Sequence, residues 1–291
     1  MDIDSISGAA AVALTSTLAF VLIVKSWQLI SRAVASSQNF SDSMMREAAQ
    51  RFRGDFERLS RSQSIYLGAV LVFIMLFMAA YTLDADRLFL GYPVWQLNLL
   101  LVTLVVAALL TAYRLFKIAL NRHQVKLLRD ANIAVGHQLQ QMAAGLGRAY
   151  HDVETSAGII DHLLISKYGV YAINVFALPP KRNGVARLED RQVCFCPGRK
   201  PQSIVAINAR IASLEREFRR RLDHRVRVRS VIAAPGWDIQ SPAGQAHLLV
   251  NEKTLPMLGG WKDPADYLLA EDAAALHAML TARCKLIPER K

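Results

Sequence analysis

Three stretches of this chain contain no charged residue at all: Gly8–Val24, Ile65–Leu83 and Val94–Tyr113. Each is close to the roughly 20 helical residues needed to cross about 30 Å of hydrocarbon. In the bilayer, backbone groups must be satisfied within the segment itself, so an apolar run of this length reads as a helix. The expectation is a membrane domain over residues 1–113 with three transmembrane helices (about 8–24, 65–83 and 94–113) and a cytoplasmic loop over 25–63. Tyr66, Tyr81, Tyr92, Trp95 and Tyr113 lie near the ends of the runs, where amphipathic rings prefer the membrane interface. The chain opens Met1-Asp2-Ile3-Asp4, which lacks the cationic start of a signal peptide, so the first run is read as retained.

Lys and Arg are unevenly placed around these runs. None precedes the first; seven (Lys25, Arg32, Arg46, Arg51, Arg53, Arg58 and Arg61) lie between the first and second, and only Arg87 lies between the second and third. Arg114, Lys117, Arg122, Lys126 and Arg129 follow the third. The positive-inside rule then places the N-terminus outside, the first loop inside, the second loop outside and the C-terminal domain in the cytoplasm, in a plasma (inner) membrane. Over residues 1–113 the 8 basic and 8 acidic residues cancel; residues 114–291 hold 27 against 16 and so carry the entire formal charge of +11. A basic cytoplasmic domain points to nucleic acid or anionic lipid headgroups as partners, although a solvated basic surface gives the same count.

Cys194, Cys196 and Cys284 make no disulfide framework, and no second Cys/His pair completes a zinc site at suitable spacing. They read as reduced thiols. Within the first loop, Ser41-Asp42-Ser43 followed by Met44, Met45, Ala48, Phe52 and Phe56 at helical spacing predicts an amphipathic helix, or a stalk extending one of the spans.

Residues 114–131 read as a basic helical stalk leading into a domain over 132–291. A second half of that helix, starting near Gly136, is expected to pack on a sheet. The first strand is expected at His151–Glu154. Ile159–Ile165 and Gly169–Phe176, separated by a Ser166-Lys167-Tyr168-Gly169 turn, read as a hairpin with Gly169 where φ must be positive. A third strand is expected over Arg187–Cys196, an amphipathic helix over Ser203–Leu222, strands at Arg225–Ile232 and His247–Val250, and one or two closing helices within Asp263–Leu280. Helix, strands, helix, strands and helix in that order make an α/β domain with a mixed central sheet.

Gly136, the His151-Asp152-Val153 strand, Gly158-Ile159-Ile160-Asp161-His162-Leu163-Leu164-Ile165 and Gly169-Val170-Tyr171-Ala172-Ile173 together resemble the nuclease-related domain (NERD), a family of the PD-(D/E)xK nuclease-like superfamily. The resemblance covers roughly Asn132 to Leu280 and implies a restriction-endonuclease-like fold. It also implies a catalytic set of a helix Glu, the Asp of Ile-Asp-His, and a Glu-x-Lys on the next strand. Asp161 is the only retained motif position; His137, Asn174 and Phe176 stand at the other three. The family's Asn-Pro-x-x-Gln stretch is reduced to Pro201 in Arg199-Lys200-Pro201.

One carboxylate with one neutral amide is a poor site for Mg²⁺, which dehydrates reluctantly, and Phe176 offers neither charge nor proton. The expected function is therefore a membrane-anchored, catalytically degenerate nuclease-fold protein, with no cofactor, that binds DNA, RNA or a protein partner through a basic face. Arg219, Arg220, Arg221, Arg225, Arg227 and Arg229 are the expected phosphate contacts. Aromatic residues are not interleaved among them, which leaves single-strand stacking without support. Two other readings stay open. An active Mg²⁺-dependent nuclease would need a migrated site around Asp161, drawing on Glu154, Glu189 or Asp190 and on Lys167, Lys181 or Arg187. A structural scaffold of a membrane complex would set the basic face against anionic lipid.

Overall fold

The computed structural model describes residues 3–34, 45–82, 93–240, 246–260 and 263–285. They fall into two compact units, one of residues 1–38 and 55–124, the other of 39–54 and 125–291. The second half of the loop between the first two apolar runs thus belongs in part with the α/β domain.

The first unit is helical. Helix α1 spans Ile3–Val34, α2 spans Gln50–Thr82 and α3 spans Val94–Leu146. Among the described residues, two helices, not three, are long and apolar enough to cross a membrane, over Gln50–Ala80 and Val102–Gly145. Large apolar side chains on them, including Leu71, Met75, Leu109 and Leu110, are exposed. In α1 the described apolar stretch is Val12–Gln28, so the span expected over 8–24 lies partly outside it. Of the amphipathic helix expected in the first loop, Ser41–Met44 lie outside the described residues, Met45–Ala49 are not helical, and the helix runs from Gln50 as the N-terminal extension of α2.

The part of α3 from Val125 onward belongs to the second unit, and Gly136 lies within that continuous helix and does not open one. The strands that follow are β1 (Gly147–Thr155), β2 (Gly158–Ser166), β3 (Gly169–Val175), β4 (Val185–Glu189), β5 (Gln192–Cys196) and β6 (Gln202–Ser203). Helix α4 (Val205–Leu222), β7 (Val228–Ala233), β8 (Asp238–Gln240), β9 (His247–Val250) and α5 (Ala270–Arg283) complete the unit. Arg187–Cys196, expected as one strand, is a hairpin, because Asp190 adopts φ +41° and turns the chain between β4 and β5. Arg225 and Arg227 precede β7 and are not part of it.

The main sheet has the order β1-β2-β3-β7-β9; the first three strands are antiparallel, and β7 and β9 join in parallel, giving the expected mixed sheet. A smaller sheet has the order β6-β5-β4-β8. Every residue of β3 is buried, as a central strand covered on both faces requires. One face of the main sheet, with Leu164, Tyr171, Ile173 and Val231, packs on Val135 and Leu139 of α3. The other, with Ile160, Leu163, Val170 and Ala172, packs on Ile207, Leu214 and Phe218 of α4 and on Phe195 and Trp237 beside the small sheet. Between β2 and β3 the turn is Lys167-Tyr168. Gly169 adopts φ +136° there, and a Cβ on it would come within 3.1 Å of Asp266.

Candidate functional site

The register of β1 against β2 builds the site. Strands β1 and β2 are joined by Ser156-Ala157, and His151 pairs with His162 and Val153 with Ile160, which puts Asp152 opposite Asp161. Strand β2 pairs with β3 as far as His162 opposite Ile173. Beyond that point the Val175 N–H donates to the Asp161 carboxylate at 2.7 Å. The side chain thus takes a donor that a continued ladder would have taken, as buried backbone groups must find a partner.

The other Asp161 oxygen accepts from the Arg51 guanidinium. Arg51 also binds Asp152, through its backbone N–H at 3.3 Å and through its Nε, 3.4 Å from the carboxylate. Burial pushes both carboxyls up from their ordinary range, while Arg51 pulls the other way at both and the Val175 N–H does so at Asp161. A second guanidinium faces the pair: Arg210 on α4 lowers the Asp161 carboxyl through space, and its Nη1 donates to Asn174 Oδ1 at 3.2 Å.

His151 and His162 lie next to the carboxylates on the same strand pair. Their Nδ1 atoms are 2.8 Å apart and both rings are buried. Burial lowers the pKa of His151 to about 4 and that of His162 well below its ordinary value. Gly136 is packed over them, since a Cβ there would lie 3.5 Å from His162, 3.6 Å from His151 and 2.3 Å from the Ala48 Cβ. Its lack of a side chain is what allows the 45–51 segment to approach α3.

Of the positions expected from the nuclease pattern, Asp161 and Asn174 come together in this site. Phe176 is partly buried and packs against the core, edge-on to Phe195 with ring centroids 6.3 Å apart. His137 is exposed on α3. The residues weighed for a migrated site go elsewhere. Glu154 is largely exposed and paired with Arg46 at 2.7 Å, Glu189 pairs with Arg187 in the small sheet, and Asp190 sits in the β4–β5 turn. Lys167 occupies the β2–β3 turn, and Lys181 lies in the loop before β4, next to Gly198.

These donors do not suit Mg²⁺. Both Asp161 oxygens are engaged, Asp152 is held by the same arginine, and the Asn174 oxygen faces a guanidinium, so a cation would have to displace fixed positive charge.

Arg219, Arg220, Arg221, Arg225 and Arg227 are all exposed. Arg216, Arg219, Arg220 and Asp223 line an open surface cavity of about 320 Å³ at the C-terminal end of α4. Asp223 ends the helix in a left-handed conformation (φ +59°), with its N–H on the Arg219 carbonyl at 3.0 Å. Arg229 is different: its side chain is only 11% exposed and is paired with Asp263 and Asp266.

No known protein family, curated protein or solved structure matches this chain.

Arg51 and Arg210 carry no motif, and Asp152 and the histidine pair lie in the stretches that carry the resemblance without being expected as site residues. One signal for three of them is in the sequence: His151-Asp152 and Asp161-His162 are mirror images about Ser156-Ala157. A two-residue turn there brings like to like across the strands. Arg51 lies 110 residues before Asp161, and no local pattern ties the two together.

Proposed function

We propose that this chain is a membrane-anchored protein whose NERD-like domain is catalytically silent and binds polyanions, nucleic acid foremost, through the arginines of α4 and the segment after it. The observation that carries the silent half is the occupation of Asp161. Metal-assisted phosphodiester cleavage needs carboxylate oxygens directed at a cation, whereas here one oxygen holds Arg51 and the other the Val175 N–H. The binding half rests on five exposed arginines, Arg219, Arg220, Arg221, Arg225 and Arg227, none of which forms an ion pair among the described residues, although Arg227 lowers the Asp263 carboxyl through space. Phosphate binding needs clustered cations more than any particular sequence.

For topology, α2 and α3 cross the membrane as a pair. Residues 45–54 belong to the same unit as the α/β domain, so both lie on one side, and the Lys/Arg bias makes that side the cytoplasm. Relative to three spans, this changes the assignment of the N-terminus alone.

The test uses the full chain in detergent with labelled duplex DNA, single-stranded RNA and vesicles of anionic lipid. The expected result is nucleic-acid binding that weakens steeply with salt and a shallower salt slope in R219A/R220A/R225A/R227A, by about 0.9 for each phosphate that is no longer neutralised. Mg²⁺ or Mn²⁺ produces no cleavage. Cleavage abolished by D161N would restore the nuclease reading. Vesicle binding without DNA or RNA binding would assign the face to lipid, as in a membrane scaffold.

A further inference from the structure

The segment just before α2 is held on the α/β domain almost wholly by polar contacts. Met45 forms an antiparallel bridge with Lys285, and the Arg46 N–H donates to the Cys284 carbonyl at 2.9 Å. The Arg46 guanidinium reaches the Asp152 carbonyl at 3.0 Å and Glu154 at 2.7 Å. Ala48 rests on Gly136, and Arg51 enters between Asp152 and Asp161. Ala49 adopts φ +64°, a left-handed conformation unfavourable for a residue with a Cβ, which persists only where surrounding contacts impose it.

We propose that residues 45–51 form a latch, seated by Arg51 and released as a unit in a step short of unfolding. Several observations converge on this. The two carboxylates that hold Arg51 are buried, with side chains 5% and 7% exposed, while the guanidinium is on a side chain 30% exposed and can leave toward solvent. Release relaxes Ala49 and leaves the strand pairing of the main sheet intact, since the segment's apolar packing is limited to Met45 against one layer, Ala48 on Gly136 and Ala49. Arg51 lies in the first turn of α2, which begins at Gln50. Release of the latch therefore gives access to the Asp152–Asp161 pair, with Arg210 left as the facing cation. The latch is independent of the nuclease-like reading.

Cys284 reports the state of the latch. It is 1% exposed, shares a packed cluster with Met45, accepts the Arg46 N–H at its carbonyl and feels the Arg46 charge, and its thiol pKa is raised by burial. In full-length C194S/C196S protein in detergent, the rate of maleimide labelling at Cys284 measures how often the segment lifts. Removing one partner of a buried ion pair should raise local opening strongly, so R51A is expected to label about tenfold faster or more without denaturant, well below the urea concentrations that unfold its sheet. D152N, which weakens the same seat from the other side, and G136A, which pushes Ala48 off α3 without touching a charge, are expected to label faster too. If R51A fails to fold, D152N and G136A carry the test. Labelling equal to that of the unsubstituted background in the folded variants would overturn the proposal. So would labelling that rises only at urea concentrations that unfold the sheet.

Discussion

The imidazoles of His151 and His162 meet Nδ1 to Nδ1 at 2.8 Å, with ring planes 87° apart, from facing positions on β1 and β2. Such a bond has room for one proton, so two neutral rings satisfy it and a doubly charged pair does not. Burial lowers the His151 pKa from 6.5 to about 4, and that of His162 is lowered as well. A depressed histidine contributes stability that is fully present above the unfolded value and is lost as pH falls from 6.5 toward 4. For His151 alone this is on the order of 3 kcal/mol. Asp152 and Asp161, whose carboxyls are raised by burial, act in the opposite sense: their contribution is present below 3.8 and is lost as pH climbs. Urea unfolding of wild type and H151N/H162N at about pH 7.5, 6 and 5 separates the two. The difference between the proteins should shrink or reverse as pH falls; a constant difference would mean that the histidines do not titrate as buried neutral groups.

How much of this was legible follows from the range of each signal. Strand β9 and the β2–β3 hairpin were readable because runs such as Leu163-Leu164-Ile165 and Val170-Tyr171-Ala172-Ile173, broken by a turn ending in Gly169, are local patterns. The β4–β5 turn escaped because Asp190 takes a left-handed conformation that a non-glycine residue rarely announces. Gly136 was read as a helix start, whereas its role is contact with Ala48, a residue far earlier in the chain. The arginines illustrate the same limit. Arg227 and Arg229 are equivalent in an alternating pattern, yet only Arg229 meets Asp263 and Asp266, which the closing segment brings to it.

Asp161 is bound from two directions, and its replacements should differ accordingly. In D161A the Val175 N–H is buried without an acceptor and Arg51 is left with Asp152 as its one carboxylate in the site. Breaking a partly buried pair in this way costs about 3–5 kcal/mol. In D161N the amide oxygen can still accept one of the two donors, so the expected loss is smaller. Urea midpoints should fall in the order wild type, D161N, D161A. Equal midpoints would mean that the Arg51–Asp161 pair does not form in solution.

The arginines fall into two classes that should respond to substitution in opposite ways. Arg229 is held between Asp263 and Asp266, with the Asp266 side chain 2% exposed, so R229A leaves a buried carboxylate without its cation. The expected cost to the fold is about 3 kcal/mol or more. Asp266 also packs under Gly169, and damage there should spread to the β2–β3 turn. Arg219 and Arg220 are exposed beside an open cavity and have no carboxylate partner among the described residues. R219A/R220A should therefore leave the stability within about 0.5 kcal/mol of wild type, as surface substitutions generally do. It should instead weaken DNA or RNA binding, with a shallower dependence on salt. Measured together, the two variants should show opposite profiles, one losing stability and the other affinity. If R229A loses affinity at full stability, Arg229 leaves its ion pairs to meet the ligand, and the phosphate-binding face extends along β7.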